Sequence, residues 1–310
     1  MAYYSGQAAS FAALKTSIET ALSAEGFSAS NGVYNKAGSF VKFSNYPDQL
    51  ALEMGRAQSG SDVDDAPILG SEIAGVSMVD PQGNTINYPL NYEIYAYNNP
   101  LEIYIIINYN TDFYQHMGFG QSGIPSVTGG GHWFTAMYPS SSFGLPSMNH
   151  DLRGGNGITS VSSSPDANRI RYPYFLTPNN SSQSNSKYYT EIDGPRWTKE
   201  FAFPQLEVGH GYIYNCLPNV LNDATVLLPH YIVQEVLQDN SSSKNWTPVN
   251  RFNNLRITRN DFILPGQTIT YGTEQWKVYP FFRRDLDDRN TSASTFTDHS
   301  GTNALALRVI

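Results

Sequence analysis

Six histidines, one cysteine and 27 carboxylates are the side chains with which this chain could do chemistry. His116, His132, His150, His210, His230 and His299 stand apart. None falls in the HxxxH or HExxH spacing that turns two imidazoles onto one metal. Cys216 is alone, so neither a CxxC metal site nor an internal disulfide can form, and its apolar setting, YIYNCLPNV, reads as a buried hydrophobe. Gly209-His210-Gly211 reads as a turn beside a strand. No Gly-x-Ser-x-Gly elbow is present, and Thr128-Gly129-Gly130-Gly131 lacks the Lys-Ser/Thr that completes a phosphate loop, so its glycines serve a sharp turn. Two acidic groups, Asp62/Asp64/Asp65 and Asp285/Asp287/Asp288, offer oxygens for a hard cation. Calcium needs six to eight oxygens in a defined loop, and neither group has the glycine and distal glutamate that supply one. The second lies between Arg283, Arg284 and Arg289, which points to ion pairing. A glycosidase would need two carboxylates about 5–10 Å apart, and no motif nominates a pair. The expectation is a protein that is not an enzyme, with no cofactor and no metal.

Composition agrees with a contact-making role. Only 15% of residues are charged, against roughly a quarter in an ordinary soluble domain, and 21 tyrosines accompany abundant Ser, Asn and Gly. Tyrosine gives large contact area at low entropic cost. The same residues also suit a plain all-β protein with long loops. The formal charge of -8 argues against a surface that tracks phosphates, so no direct nucleic-acid binding is expected. The opening MAYYSGQAASF carries neither the basic nor the apolar stretch of a secretory signal. The longest apolar run, around Ile103–Ile107, is far short of the ~20 residues that span a bilayer, so no membrane partner is expected.

The elements that must position these residues are mostly strands. The first element is read as a helix from about Ser10 to Glu25, with Phe11, Leu14, Ile18, Ala21 and Leu22 on one face, Ser10 as N-cap and Gly26 after the end. GVYNKAGSFVKFS predicts a hairpin turning near Lys36–Gly38, with Phe40 and Lys42 on one face of its second strand and Val41 and Phe43 on the other. Ser59–Pro67 reads as a polar, acidic loop. Strands are predicted at Tyr92–Tyr97 and Leu101–Tyr109, joined by Asn98-Asn99-Pro100, and the second is apolar on both faces, as a central strand is. Residues 140–196, rich in Ser, Gly, Asn and Pro, read as a loop-rich insertion or docking arm. TVLLPHYIVQEVL reads as a strand pair broken at Pro229. Short strands follow near Leu255–Thr258, Thr268–Tyr271, Trp276–Phe281 and Ala304–Val309. The fold class is mainly β, a β-rich α+β arrangement of antiparallel, sandwich-like sheets with an N-terminal amphipathic helix and long loops. Residues 1–139 and 197–310 pack as one body in this reading.

Three blocks carry a resemblance. The opening MAYYSGQA leads through a helix to YNKAGSFVKF. The middle runs from YEIYAYNNPLEIYIIINYN through an aromatic, glycine-rich stretch to Gly131-His132-Trp133. The closing block contains Trp276-x-Val278-x-Pro280, then Arg283 and Arg284, then Ser300-Gly301-Thr302. In this order, over about half the chain, they resemble a family of tailed-bacteriophage virion structural proteins; Ala37, between Lys36 and Gly38, departs from its Lys-Gly turn. The resemblance implies a particle component, assembled in the host cytoplasm and held in the virion, which forms homo-oligomeric rings, commonly six-fold, with other virion proteins of the neck, collar, tail or baseplate. It supplies no catalytic residues. Candidate contact residues are Arg283, Arg284, Arg289, Trp133, Asn180 and Lys187. The alternative is a tail or baseplate receptor-binding module in which Trp133, Tyr138, Trp197 and Trp246 stack on surface carbohydrate.

Overall fold

The fold is seen in a computed structural model, which describes residues 1–46, 49–67, 73–78, 85–136, 186–192, 194–197, 206–208, 225–236, 245–287, 289 and 300–309. In chain order the elements are β1 (Ala2–Ala8), α1 (Phe11–Ala24), β2 (Ser28–Ser30), β3 (Val33–Lys36), β4 (Ser39–Asn45), β5 (Gln49–Gly55), β6 (Ala57–Ser59), β7 (Asp62–Asp64) and β8 (Ile73–Ser77). Then come β9 (Leu90–Asn98), β10 (Leu101–Tyr109), β11 (Phe113–Gly120), a 3-10 turn (Thr128–Gly131), β12 (Trp133–Ala136), β13 (Ser186–Thr190) and β14 (Arg196–Trp197). The last are β15 (Leu206–Val208), β16 (Leu228–Val236), β17 (Asn245–Arg259), β18 (Thr268–Tyr271), β19 (Glu274–Pro280) and β20 (Asn303–Arg308).

Three antiparallel sheets stack in layers. The middle one has the strand order β1-β9-β10-β11-β12-β13-β14. One of its faces is covered by α1 and a five-stranded sheet, β2-β3-β4-β5-β8, and the other by a six-stranded sheet, β15-β16-β17-β20-β19-β18. The alternation of β10 shows both contacts. Glu102 and Tyr104 meet β17 and Trp133, while Ile103 shares its face with Phe119, which packs on Phe27 and Phe43 of the five-stranded side. A strand covered on both faces must be apolar throughout, and β10 is buried almost end to end. The mainly β, sandwich-like class predicted from composition is the one observed.

Local chemistry explains the elements that the periodicity predicts. Ser10 Oγ accepts from the Ala13 amide at 3.0 Å, and Gly26 follows the helix at φ +81°. The five predicted apolar residues of α1 are the buried ones. The β3–β4 hairpin turns at Ala37 and Gly38, both at positive φ (53° and 77°), the backbone that a two-residue type I′ turn demands. Alanine is strained there, whereas asparagine tolerates the region. Ala37→Asn is therefore expected to stabilise the chain by about 0.5–1 kcal/mol, read as a rise in the denaturant midpoint at constant slope.

Four expectations are corrected. The helix is preceded by a strand, β1, paired with β9 from Ala2↔Ala96 to Ala8↔Leu90. The polar stretch after Ser59 belongs to a two-stranded ribbon, β6–β7, closed at Gly60. Pro229 does not break a strand pair: β16 is continuous, and a register shift beside Pro229 absorbs the missing N–H. The loop-rich segment ends in structure, since β13 and β14 extend the middle sheet and bury Tyr188, Tyr189 and Trp197. Residues 137–185 lie outside the described residues.

Candidate contact surface

The middle and six-stranded sheets are joined by polar groups as well as apolar ones. Glu93 on β9 accepts from Lys277 Nζ at 2.5 Å and from the hydroxyls of Tyr3 (2.6 Å) and Tyr279 (2.8 Å). Burial pushes its pKa up, but these donors outweigh it and hold the carboxyl below the usual range. Glu102 on β10 is fully buried and accepts from the Asn253 amide (2.8 Å), the Asn254 amide (3.1 Å), Asn254 Nδ2 (3.0 Å) and the Tyr104 hydroxyl (3.2 Å). Here burial prevails and raises the pKa. Both carboxylates are fully engaged in joining sheets, which is a structural use of charge.

Two of the three predicted arginines, Arg284 and Arg289, meet at Asp261, a residue that sequence reasoning missed. The Asp261 side chain, 1% exposed, takes Arg259 Nε and Arg289 Nη1 at 3.3 Å each and the Thr302 hydroxyl at 3.0 Å. Arg284 donates to the carbonyls of Asn260 (2.7 Å) and Asp261 (2.5 Å). Arg283 pairs with Asp112 at 2.8 Å and lies over the Phe113 ring. Arg283 and Arg289 thus pair with carboxylates outside the Asp285–Asp288 group. Asp285 accepts from the Asp287 amide. The Arg289 side chain stays 44% exposed and is the predicted arginine that most faces outward.

The other predicted contact residues lie elsewhere. Trp133 and Lys187 are fully buried in the middle sheet and cannot form a contact surface of the folded chain. Trp133 packs between Tyr104 and Phe252 and donates its indole N–H to the Gln121 carbonyl at 3.1 Å. Lys187 sits opposite Phe134 in the β12–β13 ladder. Asn180 is outside the described residues, as are Tyr138, Cys216, His150, His210 and His299. Trp197 is also buried, which removes two of the tryptophans proposed to stack on sugars. The Thr128–Gly131 run is a tight turn: a Cβ on Gly129, at φ +78°, would lie 2.7 Å from Tyr189 and Glu191 side chains. Asp62 pairs with Lys42 and Asp65 with Arg56, and among the described residues no three His, Cys, Asp or Glu converge as metal ligands.

Ser39 Oγ and His132 Nδ1 lie 3.0 Å apart, a nucleophile-and-base pairing in form. Ser39 is fully buried, so the pair clasps the β3–β4 turn to the start of β12. His116 is likewise interior, bonded through Nε2 to the Pro280 carbonyl at 3.0 Å, and burial pushes its pKa down to about 4. A folded pKa below the ordinary 6.5 means that the unfolded chain takes the proton first. Stability from the neutral ring is complete above about pH 6.5 and lost as pH falls toward 4. Between pH 7 and 5 this group alone is expected to remove about 2 kcal/mol. Denaturation at the two pH values should show that loss shrinking in His116→Gln.

Two features remain on the outside. A cleft of about 740 Å³ opens at one end of the sheet stack, lined by Tyr3, Tyr97, Asn98, Asn99, Asn254 and Arg308 among others. The outer edge of β1 is open, with no described residue bonded to its backbone beyond β9. The sequence signal for that edge is a run of seven residues, AYYSGQA, with no charge and no proline ahead of the Ser10 cap. No protein-family model matches the chain and no curated protein is significantly similar to it, so its function is argued from its own residues.

Proposed function

We propose that the chain is a structural subunit of a tailed-bacteriophage particle, a ring-forming adaptor, collar or terminator protein of the neck or tail. The observation that carries this reading is the ordered resemblance of three sequence blocks. Those blocks supply β1, β9 to β12 and β17 to β20, nine of the thirteen strands of the two largest sheets, together with β3 and β4 of the third. The use of Glu93, Glu102 and Asp261 as internal ties also fits a structural protein. Its partners in this reading are copies of itself, six-fold about the tail axis as the family implies, and neighbouring virion proteins, with Arg283 and Arg289 at the rim of the contact.

Light scattering on the purified chain, with imaging of the same sample, tests it. Rings of about six or twelve copies are expected, since closed heterologous contacts produce them. A chain that forms no ring alone or with neck and tail proteins would sink the reading. The second reading, a carbohydrate-binding module, is favoured by the cleft, where tyrosines and asparagine amides could meet a sugar's faces and hydroxyls. Glycan binding by the monomer, lost in Asn99→Ala, would support that reading.

A further inference from the structure

A phenol gives up an electron more easily when a base takes its O–H proton at the same moment, and two phenoxyl radicals in contact join through their rings. Among the described residues, the ring pairs between tyrosines are Tyr3–Tyr95, Tyr95–Tyr279, Tyr97–Tyr104 and Tyr114–Tyr279. The first of these reaches solvent. Tyr3 is 42% exposed, whereas Tyr95, Tyr97, Tyr104, Tyr114 and Tyr279 are buried. Tyr3 and Tyr95 stand directly opposite each other in the β1–β9 ladder, with ring centroids 5.2 Å apart. Both hydroxyls donate to one oxygen, Glu93 Oε2, at 2.6 and 3.2 Å. The carbons that couple lie beside each hydroxyl, so two hydroxyls held on one atom bring those carbons toward each other.

We propose that Tyr3 and Tyr95 are an oxidative cross-linking site, joined as dityrosine by a one-electron oxidant of the haem peroxidase class acting with hydrogen peroxide. The oxidant takes an electron from Tyr3, the exposed ring, and Glu93 Oε2 takes the hydroxyl proton. An electron from Tyr95 then refills Tyr3, the proton on Glu93 returns to the Tyr3 oxygen, and the Tyr95 proton replaces it on Glu93. A second oxidation of Tyr3, with its proton released to water, sets two radicals side by side. They form one carbon–carbon bond ortho to the two oxygens, and the hydrogen on each joined carbon moves as a proton to the oxygen of its own ring. Two electrons and two protons leave in all, and one hydrogen peroxide becomes two waters. β1 lies at the edge of the middle sheet, so Tyr3 can close the remaining gap without moving Tyr95. The bond ties β1 covalently to β9, and the proposal stands whether or not the chain forms rings.

Oxidation of the folded full chain tests it, with a haem peroxidase and limiting hydrogen peroxide, followed by digestion and mass spectrometry. The expected product is a linked peptide pair that holds Tyr3 and Tyr95 and is two hydrogens lighter than its parts, from a chain whose denatured mass is still that of one copy. Tyr3→Phe should lose this pair with an unchanged circular dichroism spectrum. Tyr271→Phe, which removes a tyrosine that is 61% exposed, should keep it. In urea, where no fold holds the rings, the pair should give way to links among many tyrosines. A folded chain in which Tyr3 and Tyr95 stay unlinked overturns the proposal. So does one in which the same links form folded and unfolded.

Discussion

Asp261→Ala is expected to destabilise the chain by about 3–5 kcal/mol, the cost of leaving a buried charge without its partner. Arg259 is only 3% exposed in its side chain, and its Nε reaches the Asp261 carboxylate. The alanine variant removes that carboxylate from a buried guanidinium where water cannot replace it. Arg259 also bonds the Thr302 hydroxyl and the Arg289 carbonyl. The Arg289 side chain, being partly solvated, loses far less. Asp261→Asn keeps an oxygen for Thr302 and Arg259 but not the charge, so it should fall between parent and alanine. The measurement is the unfolding free energy by urea titration. A loss below about 1 kcal/mol, the level of a surface pair, would show that Asp261 does not organise this cluster.

Trp133→Ala should cost a similar amount, about 3–5 kcal/mol, by a different route. The indole is fully buried where the middle sheet meets β17, against Tyr104 at 5.7 Å and Phe252 at 5.0 Å between ring centroids. Alanine leaves a hole between two sheets that are each braced on their far strands, so neither can close onto it. The Gln121 carbonyl also loses the indole N–H. Trp133→Phe refills most of the volume and should recover a large part of the loss. Near-parental stability of the alanine variant would mean that the sheets do not bear on each other at this point.

Short-range signals were legible in the chain, and long-range ones were not. Alpha1 was readable because its apolar residues, its Ser10 cap and Gly26 lie within one continuous stretch. The β3–β4 and β9–β10 hairpins were readable because each turn lies between its own strands. Strand β1 escaped because its partner is some ninety residues away and its side chains are small or aromatic without a strong alternation. Lys187 looks like a surface residue in any sequence. It is buried because β13 pairs with β12 across residues 137–185, a distance that no local pattern spans. Pro229 signals a break, yet an adjacent bulge accommodates it. The arginine cluster was foreseeable from spacing alone. Its centre, Asp261, was not, since pairing with Arg289 depends on how the chain from β19 to β20 returns past the end of β17.

That return has a consequence for how the molecule is made. β20 comes last in the chain but lies inside the six-stranded sheet, between β17 and β19. The β18–β19 hairpin can form as soon as it is synthesised, yet it has no strand of its own sheet to join until residues 303–308 arrive. At about 5–20 residues per second on the ribosome, the facing edges of β17 and β19 stay open for the time taken to make the intervening segment. Completion of this layer is therefore a late event, and nascent chains halted before Asn303 would carry two unsatisfied ladders, which chaperones would be expected to find.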